Sequence, residues 1–186
     1  YGTVTGVQTC ALPIFHALRT LLAQHESKAH IISKIEDQSA IEHLGSILEA
    51  TDALMVARGD LGIEIPYETL PLIQRRAVAM AIACRKPVIV ATHMLESMIH
   101  APVPTRAEVT DVSNAVLEMA DSVMLSGETT TGKHPIRCVE VMSRIAVTTE
   151  HELPRRLTAE QPNETPKVKL LRAAAGLAQD LGNTGI

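Results

Sequence analysis

Four short apolar runs recur along the chain, and longer segments with helical spacing lie between them. The runs are 29–35 (AHIISKI), 53–57 (ALMVA), 87–91 (PVIVA) and 121–125 (DSVML). Their apolar residues are mostly continuous rather than alternating, which is typical of strands buried on both faces. Helical spacing precedes the first run at 15–22 and is clear again at 70–84 and 135–145. Strands alternating with helices predict βαβ crossovers and a parallel sheet, so the fold class is α/β.

Chain length leaves two α/β architectures open. The chain has 186 residues, and a closed (β/α)₈ barrel typically needs about 250 residues. Only four β/α units are visible. They predict either a small doubly wound domain or half of a barrel.

Composition excludes several classes of function. A hydrophobic fraction of 46% supports a folded core, while the formal net charge of −4 argues against wrapping nucleic acid phosphates. Aromatic residues make up 2% of the chain, too few for base stacking or membrane-interface belts. No apolar run approaches the roughly 18 residues of a membrane span. Three cysteines without a C-x-x-C pair suggest a reducing, cytoplasmic setting.

The sequence divides into four segments. Residues 1–14 lack the regions of a signal peptide and are predicted to be a non-native or adapter-derived leader. Residues 15–149 hold the β/α units, and 150–164 are predicted to be a linker because two prolines and mixed charges occur there. Residues 165–186 open with Thr-Pro, a helix-start signal, and are predicted to begin a truncated second domain.

Polar residues follow each predicted strand. In parallel α/β folds such residues meet at the carboxyl edge of the sheet. The simplest alternatives are a solvated ion pair, a turn with a capping aspartate, and a structural histidine at position 93. Together, however, two carboxylates suit Mg²⁺, and the neighbouring cations complement phosphate or an oxyanion. We call this carboxyl edge the rim. The side chains expected on it are Lys34, Glu36, Arg58, Asp60, Thr92, Ser126 and Glu128.

One segment resembles a nucleotide-binding loop. Residues 127–134 (GETTTGKH) nearly match G-x-x-x-x-G-K-[ST] between a strand and a helix. His134 replaces the hydroxyl residue that would hold Mg²⁺, and Pro135 removes an amide. A nucleotide loop is therefore not expected here.

Five motifs resemble the pyruvate kinase family, in that family's order. They are IISKIE (31–36), MVARGDLGIEIP (55–66), KPVIVATHMLESM (86–98), PTRAE (104–108) and MLSGET (124–129). The resemblance implies the second half of a (β/α)₈ TIM barrel, strands five to eight, followed by the first helix of an α/β C-terminal domain. It favours the half-barrel over the small doubly wound domain.

The resemblance implies a phosphoryl-transfer site. Lys34 matches a catalytic lysine that neutralises the phosphoryl group in flight and the enolate left behind. Glu36 and Asp60 match the two protein ligands of Mg²⁺ (or Mn²⁺). The K⁺ site of the intact enzyme would lie outside this chain.

Other residues are implied to bind substrate and deliver a proton. Ala57, Arg58 and Gly59 match the turn where a substrate carboxylate meets backbone amides, and Lys34, Asp60 and Thr92 also match substrate-binding positions. Thr92 matches a hydroxyl beside the methylene carbon of the enolate. Ser126 is expected to join the proton route through water.

The implied reaction transfers phosphate from phosphoenolpyruvate to ADP, giving pyruvate and ATP in glycolysis. The family assembles as homotetramers, and Arg106 resembles a residue near the subunit contact. No nucleic acid or membrane partner is expected, and the chain alone is predicted to be inactive. Two alternatives stay open: another Mg²⁺-dependent phosphoenolpyruvate or pyruvate barrel enzyme, and a non-catalytic truncated subunit.

Overall fold

A computed structural model describes residues 11–152 and six residues further along the chain: Pro166, Lys169, Leu170, Ala173, Ala174 and Leu177. The chain divides into two compact units, residues 1–150 and 151–186. Residues 1–10 of the predicted leader and most of the predicted linker and second domain lie outside the described residues.

The larger unit is built around a four-stranded parallel sheet. Its strands lie in chain order, β1-β2-β3-β4, so each is hydrogen-bonded to the next. The strands are β1 (Ile32–Ile35), β2 (Ala53–Ala57), β3 (Val88–Ala91) and β4 (Ser122–Met124). The helices are α1 (Ala11–Gln24), α2 (Gln38–Glu42), α3 (Leu44–Ala50), α4 (Arg58–Glu64), α5 (Leu70–Ala83), α6 (Arg106–Leu117), α7 (Gly127–Thr130) and α8 (Pro135–Glu152). Short 3₁₀ turns lie at Tyr67–Thr69 and Glu96–Ile99.

The predicted α/β class and parallel sheet are confirmed, and the main differences are at helix ends. Helix α1 begins at Ala11, four residues before the predicted start, because Pro13 is tolerated in a first helical turn. Helix α8 continues to Glu152 and so includes the first residues of the predicted linker. Neither glycine nor proline interrupts 136–153, so nothing local stops this helix earlier.

The strand register divides the sheet into two unlike faces. One face is packed under helices, and its side chains are completely buried at Ile35, Val56 and Val90. On the other face, Ile32 is 47% exposed. The row across this second face is Lys34, Met55, Ile89 and Ser122. Lys34 therefore belongs to the more exposed face of the sheet.

Two aspartates occupy equivalent positions at the starts of strands. Asp52, before β2, accepts a hydrogen bond from the backbone N–H of Ile31 at 2.7 Å. Asp121, before β4, accepts one from Val88 at 2.8 Å. Each carboxylate thus joins the start of its strand to the start of the preceding one, at the edge opposite the predicted site.

Helix α6 has a complete capping box. The Thr105 hydroxyl accepts the backbone N–H of Glu108 at 3.2 Å, and the Glu108 carboxylate accepts the backbone N–H of Thr105 at 2.7 Å. The same carboxylate accepts the Ser97 N–H and hydroxyl, each at 2.6 Å. Helix α6 is thereby tied to the segment that follows β3.

The six described residues after Glu152 are helical, and they fall within the helix predicted from Thr165 onward. Among the residues that the structure describes, no helix is both long enough and apolar enough to cross a membrane.

Candidate active site

The predicted site residues lie at one edge of the sheet because the four strands are parallel neighbours. Lys34 lies near the end of β1, and Glu36 directly follows that strand. Ala57 ends β2, Thr92 directly follows β3, and Ser126 begins the turn after β4. The edge therefore collects polar groups from four segments that are distant in sequence.

Lys34 and Glu36 form an ion pair. The Lys34 Nζ lies 2.5 Å from Glu36 Oε2, and the two side chains are 52% and 41% exposed. The hydrogen bond that Lys34 donates to Glu36 raises the pKa of Lys34; burial opposes this effect, and the charges of Glu36 and Asp60 add to it. The expectation that residues two apart at a strand end share a face is confirmed, and the lysine is held in its charged form.

Asp60 is exposed in the first turn of α4, where its charge acts on Lys34. Lys34 is thus paired with Glu36 and influenced by the charge of Asp60. No cluster of three or more His, Cys, Asp or Glu side chains suited to a metal occurs in the described part of the chain. Two carboxylates with open surroundings fit Mg²⁺, which takes hard oxygen ligands and usually completes its octahedron with water and substrate.

Gly59 and Thr92 join α4 to the end of β3. The Gly59 backbone N–H donates to Thr92 Oγ1 at 2.7 Å, and that hydroxyl donates to the Ala91 carbonyl at 2.6 Å. A Cβ on Gly59 would lie 3.4 Å from both Thr92 Oγ1 and the His93 ring. Glycine therefore leaves the space beside the Thr92 hydroxyl and the His93 ring free of a side chain.

The guanidinium of Arg58 points into the protein. Its side chain is only 7% exposed and forms an ion pair with Asp111 of α6 at 2.6 Å. It also donates to the carbonyls of Thr92 and His93 and to Gln74 of α5. The expected contribution of Arg58 to the rim is therefore limited to its backbone. Sequence reasoning could not foresee this direction, since the ionic partner lies 53 residues away.

Glu128 was expected on the rim but is completely buried. Its carboxylate accepts the backbone N–H of Ser126 at 2.8 Å and that of Leu95 at 3.1 Å. Burial and the Glu128 charge raise the pKa of the neighbouring Cys138 thiol. Glu128 thus connects the turn carrying Ser126 with the segment after β3, and no local sequence pattern predicts this.

The segment that resembles a nucleotide loop uses its amides internally. The Gly132 N–H donates to the Gly127 carbonyl at 2.9 Å, and the Lys133 N–H donates to the Ile99 carbonyl at 2.8 Å. These two amides do not form an open cradle for phosphate. The expectation that this is not a nucleotide loop agrees with that geometry.

A cleft of about 380 Å³ opens beside the Lys34–Glu36 pair and is also lined by Phe15, Asp37 and His43. Sequence reasoning missed these three lining residues, because α1 and α2 must first pack beside β1. A larger apolar groove of about 430 Å³ lies between α6 and α8 and contains none of the predicted site residues. Of the predicted site residues, only Lys34 and Glu36 line the 380 Å³ cleft, so it borders the site on the side of α1 and α2.

Comparison with known proteins decides the family. A family model described as the barrel domain of pyruvate kinase matches residues 13–139, more than half of the chain. The chain belongs to the pyruvate kinase family. The recognised motifs and the strand-end arrangement are therefore those of a pyruvate kinase barrel domain.

Curated relatives agree with this assignment. The chain is 57% identical over 151 residues to pyruvate kinase of Mycobacterium tuberculosis strain H37Rv, covering 78% of this chain and 32% of that protein. It is 50% identical over 145 residues to chloroplastic pyruvate kinase isozyme G of Ricinus communis, covering 78% and 35%. It is 41% identical over 190 aligned positions to pyruvate kinase of Agrobacterium vitis, covering 98% and 39%. The chain thus spans about a third of the length of these pyruvate kinases.

Proposed function

We propose that this chain supplies the second half, strands five to eight, of a pyruvate kinase barrel, which transfers phosphate from phosphoenolpyruvate to ADP. The observation that carries the proposal is the Lys34 ammonium, 2.5 Å from Glu36 and within the electrostatic reach of Asp60. A cation paired with one carboxylate and influenced by the charge of a second suits phosphoryl transfer, which needs positioning and charge neutralisation more than covalent help.

Within this proposal, Lys34 neutralises charge on the phosphoryl group and on the enolate. Its raised pKa keeps it protonated throughout the physiological range. Glu36 and Asp60 would hold Mg²⁺ or Mn²⁺, which supplies Lewis-acid stabilisation of the phosphate and enolate oxygens. Because Lys34 already pairs with Glu36, binding a metal would require that carboxylate to be shared. The K⁺ site and most ADP contacts would belong to the other half of the barrel.

The remaining site residues divide between carboxylate binding and proton delivery. The backbone at Ala57, Arg58 and Gly59 would meet the substrate carboxylate at the end of β2. The Thr92 hydroxyl would lie beside the methylene carbon of the enolate, and Ser126 would extend the proton route through water. Support for this role is the fixed Thr92 side chain, which contacts Gly59 and Ala91.

The setting of the whole enzyme is also part of the proposal. It would work in glycolysis as a homotetramer, with Arg106 near a subunit contact. A cytoplasmic location is proposed from composition, and the names of the relatives include chloroplastic isozymes.

A chimera tests the function directly. Residues 15–149 would replace the aligned segment of the Mycobacterium tuberculosis enzyme, with which the chain shares 57% identity. We expect this chimera to form ATP from phosphoenolpyruvate and ADP. Glu36→Gln and Asp60→Asn should each raise the Mg²⁺ concentration needed for half-maximal activity, by about tenfold or more.

The matched control is Glu64→Gln, which removes an exposed carboxylate from the same short helix as Asp60. Its Mg²⁺ requirement should equal that of the unmutated chimera. A folded chimera without activity, or an unchanged Mg²⁺ requirement in both site variants, would contradict the proposal. In the first case, a truncated non-catalytic role would gain support.

A further inference from the structure

Two consecutive residues after β3 have a left-handed backbone. The φ angles of Thr92 and His93 are 68° and 53°. Left-handed conformations are uncommon outside glycine, and for a β-branched residue such as threonine they are true outliers. Such residues persist only where the surrounding structure holds them in place. One of the pair carries the hydroxyl that the proposed reaction uses.

One guanidinium holds the carbonyls of both residues. Arg58 Nη2 donates to the Thr92 carbonyl at 2.7 Å and to the His93 carbonyl at 3.1 Å. Arg58 Nε adds a second bond to the Thr92 carbonyl at 3.1 Å. Each of these carbonyls belongs to a residue with a left-handed backbone. Holding the two carbonyls in place therefore helps to hold that backbone conformation.

The guanidinium is itself fixed from two helices. Its Nη1 lies 2.6 Å and 2.7 Å from the two Asp111 carboxylate oxygens of α6, and 3.4 Å from Gln74 Oε1 of α5. Met94 Sδ lies 2.8 Å from Nη2. Arg58 is 6% exposed overall, so its charge is paired in a largely dry environment. A planar fork with five donors suits this set of contacts, and a lysine ammonium does not.

We infer that Arg58 is a positioning residue for the Thr92 hydroxyl rather than a substrate-binding side chain. By fixing the carbonyls of Thr92 and His93, it holds the backbone that places Thr92 Oγ1 2.7 Å from the Gly59 N–H. This inference rests on the proposed function, in which Thr92 serves the protonation of the enolate. It assigns Arg58 to that step and not to phosphoryl transfer.

The protonation step can be measured in reverse, as loss of a proton from the pyruvate methyl group, without measuring phosphoryl transfer. A C–H bond of the pyruvate methyl group breaks, the proton leaves along the Thr92 route, and the electron pair remains as the enolate. In D₂O a deuteron then returns to the same carbon. Methyl exchange followed by proton NMR therefore reports the step in which Thr92 takes part, separately from ATP formation.

The experiment is a double-mutant cycle in the chimera, with Arg58→Lys, Thr92→Ala and the combined variant. We expect Arg58→Lys to slow methyl exchange by about tenfold or more, since small misplacements of a reacting group are costly. Because Arg58 acts through Thr92, the combined variant should exchange no more slowly than Thr92→Ala alone, within about twofold. The inference would be overturned if the combined variant slowed exchange by the product of the two single effects. Normal exchange in Arg58→Lys would overturn it as well.

The matched control is Arg19→Lys, the same change at an Arg–Asp pair that joins α1 to the start of β2. It should leave methyl exchange unchanged, and slowed exchange there would also overturn the inference. Should Arg58→Lys not fold, Asp111→Asn replaces it in the cycle, because it loosens the guanidinium while leaving both carbonyl contacts available. An unmutated chimera that neither forms ATP nor exchanges the pyruvate methyl protons would contradict the proposed function itself. If the unmutated chimera does both, but the effects of the two substitutions multiply, only the role of Arg58 is contradicted.

Discussion

The backbone N–H of Gly59 donates to the Thr92 hydroxyl at 2.7 Å, which joins the first turn of α4 to the end of β3. The start of a helix and the end of a strand that would act on one substrate are thus in direct contact. Glycine leaves the space beside this contact free of a side chain, because a Cβ at position 59 would lie 3.4 Å from the hydroxyl, in van der Waals contact with it.

Gly59→Ala should therefore separate stability from activity. Alanine is favoured over glycine in a helix by up to about 1 kcal/mol, so the thermal midpoint should hold or rise. Activity of the chimera should fall, with a higher KM for phosphoenolpyruvate, because the new methyl group would contact the Thr92 hydroxyl and the His93 ring and take up space beside the proposed substrate. Gly62→Ala is the control in the same helix, since its Cβ would meet only Leu70 at 3.8 Å. Equal kinetics in the two variants would show that the absence of a side chain beside Thr92 and His93 is unimportant for activity.

Acid stability should depend on Asp52. The paired Arg19 guanidinium and the Ile31 N–H lower the pKa of Asp52 from 3.8 to about 2. A depressed carboxyl pKa stabilises the fold above the unfolded value, and that contribution is lost as the pH falls from about 4 towards 2. Asp52→Asn should cost about 1 kcal/mol at neutral pH once solvent screening is allowed for. It should also flatten the pH dependence of urea unfolding between pH 4 and 2. If Asp52→Asn left the slope of unfolding free energy against pH unchanged in that range, the stabilising role of the Asp52 carboxylate would be contradicted.

Gly132→Ala should destabilise the turn that carries Ser126. A Cβ there would lie 2.3 Å from the Glu128 carbonyl oxygen, so the backbone must move. We expect a loss of about 1–3 kcal/mol, the usual cost of overpacking, measured by thermal unfolding of the full chain. Gly45→Ala is the control, because its Cβ would approach only Met80 at 4.0 Å. A change no larger than that control would mean that the turn accommodates a side chain.

The full 186-residue chain should self-associate and should not form ATP by itself. One sheet face leaves Ile32 47% exposed next to the Lys34 row, and exposed apolar strand surface promotes association. Analytical ultracentrifugation should show a concentration-dependent increase in mass that Ile32→Asp reduces. A monomer at all concentrations, or ATP formation above the level of a Lys34→Met chain, would contradict this expectation.

The strands were predictable because each is a nearly continuous apolar run ending in polar residues. Strand β2 has the predicted bounds, Ala53–Ala57, and the other strands differ only at their ends. The pairing of Lys34 with Glu36 was also predictable, since a spacing of two fixes a shared face. Local periodicity is sufficient for both features.

The interior contacts were not predictable from local patterns. Arg58 could have pointed to either side of the β2 end, and Asp111, from a distant helix, decides its direction. The burial of Glu128 likewise depends on the Leu95 N–H from another loop. The short helices α2, α3 and α7 have too few turns to show a clear period. Long-range contacts therefore determined which motif residues face the rim.

ATP formation by the chimera carrying Lys34→Met tests the proposed site directly. The matched comparison is Lys28→Met, which removes an exposed lysine before β1. Loss of the ammonium should cost about 3 kcal/mol or more of transition-state stabilisation, at least about 100-fold in kcat/KM. Lys28→Met should retain the activity of the unmutated chimera. Equal turnover in the two variants would contradict the assignment of Lys34 and, with it, the proposed site.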